Sequence, residues 1–168
     1  MPTENDMLSS GDFTKEKLPG SINVLTILTF IGSAIGLIGS IYSYASAEKN
    51  LKTMQETIGS GKLDEAPSWA KNMMSPDLIP MYQKMADNKL PILILNLAGI
   101  ALCVYGAMQM RKLKKQGYML YVAGELLPYV ATLGFVGVMA FKGFGLLGLI
   151  VPLVFILLYT VNRKHLVN

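Results

Sequence analysis

The stretch VLTILTFIGSAIGLIGSIYSYASA, Val24 to Ala47, contains no charged residue. It lies inside a run of 30 uncharged residues between Lys17 and Glu48. A helix needs about 20 residues to cross the roughly 30 Å hydrocarbon core of a bilayer. This run is therefore long enough to form one membrane-spanning helix with several residues to spare.

Three further runs of the chain lack charged residues, except that the second of them contains Glu125. They hold 21, 26 and 20 residues, and their boundaries are Lys89 and Arg111, Lys115 and Lys142, and Lys142 and Arg163. Only 15% of the 168 residues are charged, against about 25% in a typical soluble domain. Four such runs would leave too little polar surface to cover them in water. We therefore predict an all-α membrane protein with four transmembrane helices, at 20–47, 90–110, 118–141 and 143–162.

A basic loop, RKLKKQG at 111–117, separates the second and third predicted spans. Its charges come from Arg111, Lys112, Lys114 and Lys115. Basic residues in short loops stay in the cytoplasm, so both terminal segments, 1–19 and 163–168, are predicted to be cytoplasmic and the first to be disordered. Beside two membrane helices, such a cluster fixes topology and contacts anionic lipid head groups. That interpretation is favoured over nucleic-acid binding.

The segment 48–89 lies outside in this topology, and its six lysines balance its six acids. Leu51, Met54 and Ile58 have helical spacing, so the first helix should continue past the membrane until the GSG at 59–61. SPD at 75–77 offers a serine cap and a proline at the first helical position, which predicts a second helix. We expect a small helical extracytoplasmic cap between the first two spans.

Small residues recur every four positions on one face of each of the first two spans. They are Gly32, Gly36 and Ser40 in the first span and Gly99, Cys103 and Ala107 in the second. Small residues let helix backbones approach closely in a bilayer. The two faces predict contacts within the bundle or, as the alternative, a homodimer interface.

The third span contains GELLPYV at 124–130, an acid and a proline in one membrane segment. Pro128 has no N–H, so the carbonyl of Gly124 loses its helical partner. Tyr121, Glu125 and Tyr129 share one helix face, and a carboxylate facing lipid would cost at least ~3 kcal/mol. This face should therefore point into the bundle, as an interhelical hydrogen-bond clasp or as a proton or cation site for transport. Groups at a similar depth are Thr26, Thr29, Tyr105, Tyr159 and Thr160.

The chain has one cysteine, Cys103, and one histidine, His165. A disulfide within the chain and a cysteine metal cluster are excluded, and we expect no metal, no cofactor and no enzymatic activity. The leading hypothesis is a non-enzymatic scaffold, accessory subunit or envelope-associated factor that binds the bilayer and a membrane-protein partner or a second copy. The alternative is a small dimeric proton-coupled transporter or channel that uses Glu125.

Two segments, LPGSINVLTILTFIGSAIG at 18–36 and MRKLKKQGYMLYVAGELLP at 110–128, resemble a group of short four-pass bacterial membrane proteins without an assigned activity. The resemblance implies a location in the bacterial inner (cytoplasmic) membrane and no particular chemistry. Small multidrug transporters also depend on one membrane glutamate in four helices. Theirs lies in the first helix, and they lack a long outer segment.

Overall fold

The computed structural model describes residues 18–61, 67–68, 71, 75–141 and 147–167. These residues form helices and turns, and no strand occurs among them. The α-helices are α1 (Gly20–Gly59), α2 (Ile79–Asp87), α3 (Lys89–Arg111), α4 (Lys115–Phe135) and α5 (Leu147–Asn162). Short 3₁₀ turns lie at Pro76–Leu78, Val138–Phe141 and Arg163–His165. Both the tail at 1–17 and much of the predicted cap, at 62–66, 69–70 and 72–74, lie outside the described residues.

Helix α1 is a single helix of 40 residues. At about 1.5 Å per residue it is roughly 60 Å long, about twice the thickness of a hydrocarbon core. It continues without a break past Glu48 and ends at Gly59, and Gly61 adopts a left-handed φ of 68°. The helix thus stops at the glycine-rich stretch from which its end was predicted, and all its charged residues lie from Glu48 onward.

The 3₁₀ turn that leads into α2 begins at the SPD motif, but not in the way that the motif suggests. Pro76 is the first residue of the 3₁₀ turn, and the Ser75 hydroxyl makes no capping hydrogen bond. Proline therefore sets the start of this segment through its fixed φ. The segment ends at Asn88, whose side-chain amide donates to the Lys84 carbonyl at 2.9 Å. Helix α2 packs against α1, and Met54 of α1 is buried.

Helices α3 and α4 form an antiparallel hairpin and make the most extensive helix contact in the fold. They are joined by three residues, of which Leu113 has a left-handed φ of 58°. Helix α4 ends at Phe135, six residues before the predicted end of its span at 141. There Gly137 turns the chain with a φ of 96°, and the N–H groups of Val136 and Gly137 both donate to the Thr132 carbonyl.

Helix α5 packs against α1 and α4 and completes the bundle. The best-buried cluster lies toward the end with the basic loop, where the last residues return to it: the Val167 N–H donates to the Leu113 carbonyl at 3.0 Å. This cluster joins all four long helices and consists of Ile22, Leu25, Cys103, Met110, Leu113, Tyr121, Tyr159 and Leu166.

Two helices, α1 and α3, are long and apolar enough to cross a membrane. Only 17% and 22% of their most apolar windows are buried inside the protein. Helix α5 has 16 described residues and is shorter than a full span. Helix α4 is long enough, but Glu125, Pro128 and three tyrosines lower its hydropathy.

Candidate functional site

A cleft lies between all four long helices and has a volume of about 370 Å³. Its wall combines small, aromatic and carboxyl side chains. Helix α1 contributes Gly32 and Gly36, α3 contributes Gly99 and Cys103, α4 contributes Tyr121, Glu125 and Tyr129, and α5 contributes Gly148, Pro152 and Phe155. We call this space the central cavity.

The central cavity exists partly because glycines face it from α1. No described atom would lie within 4 Å of a Cβ at Gly32, and a Cβ at Gly36 would only touch the Ile100 side chain at 3.7 Å. The close backbone approach expected from these two residues is therefore not found. Ser40, the third residue of that face, donates its hydroxyl to the Gly36 carbonyl at 2.8 Å.

On the opposite wall, Gly99 meets α4 directly. A Cβ there would lie 2.8 Å from the carbonyl oxygen of Gly124 and 3.0 Å from the ring of Pro128. This is the carbonyl that loses its helical partner to Pro128. A C–H group of Gly99 on α3 therefore points at the Gly124 carbonyl oxygen, as in a weak C–H···O hydrogen bond.

A second glycine contact of the same kind occurs one heptad further along the hairpin. A Cβ at Gly106 would lie 2.7 Å from the Gly117 carbonyl oxygen, and a Cβ at Gly117 would lie 2.6 Å from the Gly106 carbonyl oxygen. A spacing of four between small residues did not predict the contacts of Gly106, Gly117 and Gly124. The usable signal is the spacing of seven on both sides of the basic loop, at 99 and 106 and again at 117 and 124. Ala107 is also fully buried.

Glu125 is half-buried at the wall of the central cavity. Its Oε2 accepts a hydrogen bond from the Cys103 thiol of α3 at 3.4 Å, and the same thiol lies 3.7 Å from the Tyr121 carbonyl oxygen. A thiol is a weak donor with a single hydrogen. The thiol contact therefore links α3 and α4, and the Tyr121 hydroxyl of α4 interacts with the same carboxyl.

Tyr121, which lines the cavity, packs against a second buried tyrosine, Tyr159 of α5. The rings of Tyr121 and Tyr159 lie 4.6 Å apart between centroids, at an angle of 54°. The Tyr159 hydroxyl is hydrogen-bonded to the Thr29 hydroxyl at 2.8 Å, and both side chains are buried. This chain of contacts connects α4, α5 and α1. The sequence predicted that Thr29 and Tyr159 lie at a similar depth to Glu125. It did not predict that these two side chains contact each other.

A second proline weakens the backbone on the other side of the cavity. Pro152 lies inside α5, so the carbonyl of Gly148 has no helical N–H partner. The Tyr129 hydroxyl of α4 donates to this oxygen at 2.9 Å. Tyr129, predicted beside Glu125 on one face, thus satisfies a backbone group that α5 cannot satisfy itself.

The basic residues near the loop at 111–117 lie at that end of the bundle and do not line the central cavity. Arg111 donates to the Thr26 hydroxyl at 3.2 Å, and the Arg163 guanidinium stands 5.3 Å from the centre of the Tyr118 ring. Lys112, Lys114 and Lys115 are exposed. Within the described part of the chain, neither lysine nor arginine lines the cavity.

The opposite end of the bundle contains an ion pair between the charged part of α1 and the start of α3. The Lys89 ammonium donates to Glu48 Oε1 at 2.5 Å. This hydrogen bond and the charge of Lys89 lower the pKa of the Glu48 carboxyl. The same hydrogen bond raises the pKa of Lys89. Both groups lie just beyond the predicted spans at 20–47 and 90–110.

Comparisons with known proteins add no function to these contacts. The chain matches no protein-family model, no curated protein and no solved structure. Among the described residues, no three His, Cys, Asp or Glu side chains are grouped closely enough to hold a metal ion. The chemistry of the site is that of one carboxyl, one thiol and several aromatic rings around an apolar space.

Proposed function

We propose that this protein is a non-enzymatic integral membrane protein with four transmembrane helices. The observation that carries the proposal is the exposure of large apolar side chains on every long helix. Ile38 of α1 is 70% exposed, Ile94 of α3 57%, Val130 of α4 64% and Leu157 of α5 63%. In water, apolar surface on all sides of a bundle would drive aggregation, whereas lipid chains cover it at no cost.

The orientation follows from the charge at the two ends. The basic loop at 111–117 and the basic C-terminal residues Arg163 and Lys164 lie at one end, joined by the hydrogen bond between Val167 and Leu113. By the positive-inside rule this end is cytoplasmic, with both termini beside anionic head groups of a bacterial inner membrane. The part of α1 from Glu48 onward and helix α2 then belong to the extracytoplasmic cap at 48–89.

Cysteine labelling in intact cells tests this topology. In a Cys103→Ser background, a membrane-impermeant thiol reagent should label Ser60→Cys at the end of α1. It should not label Gln116→Cys in the basic loop until the cells are permeabilised. The reverse pattern would refute the orientation. Labelling of both positions in intact cells would place them on the same side of the membrane, which would refute the single span predicted between them and the four-pass arrangement built on it.

A role as a scaffold or accessory subunit agrees with the chemistry of the site. Catalysis by a cysteine uses its thiolate, which forms beside cationic groups. Here the Cys103 thiol donates to the Glu125 carboxyl instead, and no described lysine, arginine or histidine lines the cavity beside it. The two side chains therefore hold helices together rather than form a nucleophile and its base. Purification from gently solubilised membranes should recover a stoichiometric membrane-protein partner or a homodimer.

A small proton-coupled transporter or channel is the second candidate. It is favoured by the central cavity, because a carboxyl at the wall of a space between helices is the common feature of membrane proton and cation paths. Reconstituted vesicles provide the test. Glu125→Gln should abolish proton-coupled flux, since an amide cannot exchange a proton, while leaving the protein folded. Flux that is unchanged in this variant would exclude a path through Glu125.

A further inference from the structure

We propose that the central cavity binds a small organic cation, in which an apolar or aromatic body carries an amine or a quaternary ammonium group. The proposal rests on the membrane placement proposed above but does not require transport, because a scaffold can also hold a ligand. The size of the cavity, its charge and its aromatic lining each support this class of ligand.

The size of the cavity is suited to a small molecule. Its volume of about 370 Å³ lies within the range of roughly 300–1,000 Å³ found for ligand sites. A cavity of about 150 Å³ is already enough for a benzene ring. The central cavity therefore has room for one aromatic ring and a substituted ammonium group together.

The charge of the cavity favours a cation. Glu125 is the ionisable carboxyl among its lining residues, and no described lysine or arginine lines it. The described protein groups that interact with its carboxyl are neutral donors: the Cys103 thiol, at 3.4 Å, and the Tyr121 hydroxyl. A carboxylate in an apolar site is costly without a positive partner. A bound cation supplies that partner.

The remaining wall suits a cation with apolar surface. Three aromatic side chains line the cavity: Tyr121 and Tyr129 of α4 and Phe155 of α5. Aromatic rings attract quaternary ammonium groups through the negative face of the ring. The glycines on α1 leave the space between these rings and Glu125 open. A carboxylate would repel an anion, and a neutral molecule would not balance its charge.

Calorimetry on the full-length protein in zwitterionic phosphatidylcholine nanodiscs tests the proposal. The probes are benzyltrimethylammonium and phenethylammonium, with phenylmethanesulfonate as an anion of similar shape and empty nanodiscs as the blank. We expect saturable binding of at least one cation at one site per chain and no saturable binding of the anion. Glu125→Gln should weaken the cation at least tenfold, whereas Glu48→Gln, which removes an exposed acid outside the cavity, should leave it unchanged.

A second variant separates loss of the site from loss of folding. A leucine at Gly32 has open space to enter, so Gly32→Leu should fill the cavity and weaken the cation at least tenfold without lowering the melting temperature. The proposal is overturned if folded native protein binds neither cation, if Glu125→Gln binds them equally, or if the anion binds as well. Lys142 lies outside the described residues, so a Lys142→Gln variant tests whether this lysine is the cation that pairs with Glu125. If only that variant binds the probes, the proposal is overturned for the native chain. None of these outcomes changes the cysteine-labelling pattern, which tests the topology separately.

Discussion

The α3–α4 contact and the α1 side of the central cavity both contain regularly spaced glycines, yet their surroundings differ. Between α3 and α4, a Cβ at any of Gly99, Gly106, Gly117 and Gly124 would lie within 2.8 Å of a backbone carbonyl oxygen of the other helix. On α1, a Cβ at Gly32 would meet no described atom within 4 Å. Glycine therefore serves close approach in one region and open space in the other.

This difference predicts opposite effects for one substitution. Gly106→Ala should destabilise the protein by about 2 kcal/mol or more, because overpacking a tight contact costs roughly 1–3 kcal/mol and the added methyl would meet backbone atoms that cannot rotate away. Gly32→Ala and Gly39→Ala have space around them. They should be neutral or stabilise the helix by up to ~1 kcal/mol, since alanine is the better helix former.

Unfolding of the detergent-purified protein, followed by circular dichroism, gives these free energies. A Gly106→Ala variant as stable as the native protein would disprove the close contact between α3 and α4. If Gly32→Ala were instead strongly destabilising, or disrupted a dimer, the α1 face would be a packed interface between two copies, as the homodimer interpretation states.

The hairpin could have been found from the sequence, whereas the cavity could not. Glycines at 99, 106, 117 and 124 are symmetric about the basic loop, so folding the chain at that loop pairs 99 with 124 and 106 with 117. The spacing of Gly32 and Gly36 is equally regular, but whether a neighbour fills the space depends on how α1 and α5 are placed. A regular spacing of glycines therefore identifies a face of small residues on a helix, but it does not determine which neighbouring group, if any, packs against that face.

Other features show the same limit. The end of α1 at Gly59 and the turn at Pro76 follow from local residue types, and both could be predicted. The contact between Thr29 and Tyr159 joins residues 130 positions apart. Their depths along two helices limit the set of polar residues that could meet, but they do not determine which two form a hydrogen bond. The end of α4 at Phe135 also departs from the apolar run, since Gly137 turns the chain while the sequence remains hydrophobic.

Around the central cavity, we expect polar contacts to hold the helices together more than close backbone packing does. Removal of the Tyr159 hydroxyl tests this expectation. Tyr159→Phe removes the hydrogen bond to Thr29 between two buried side chains. We expect a loss of about 0.6–1.7 kcal/mol in the free energy of unfolding, the range for polar contacts between membrane helices. Tyr118→Phe is the matched control, because its partner Thr160 is exposed and also donates to the Ile156 carbonyl. Equal losses in both variants would show that burial of the pair has no special value.

A smaller effect is expected where Tyr129 replaces a missing helical hydrogen bond. Tyr129→Phe should cost about 0.6 kcal/mol, because the Gly148 carbonyl then has neither Tyr129 nor an N–H at position 152. In a Pro152→Ala background the helix supplies that N–H, so the same change should cost nearly nothing. A double-mutant cycle measures this coupling. Additive losses in the two variants would show that Tyr129 does not act through the carbonyl freed by Pro152.

The smallest effect belongs to the exposed pair of Glu48 and Lys89, which lies outside both the hairpin and the cavity. Lys89 lowers the pKa of Glu48 in the folded protein. Its contribution is therefore present in full above the ordinary pKa of a glutamate, about 4.3, and is lost as the pH falls through the lowered value. Melting temperatures taken from neutral pH down to about pH 3 should fall slightly less in Glu48→Gln than in the native protein. Glu56→Gln, which removes the acid of the looser pair with Lys52 at 3.9 Å, is the control. A Glu48→Gln curve that runs parallel to the native one would show that this ion pair adds nothing to stability, as is common for exposed pairs.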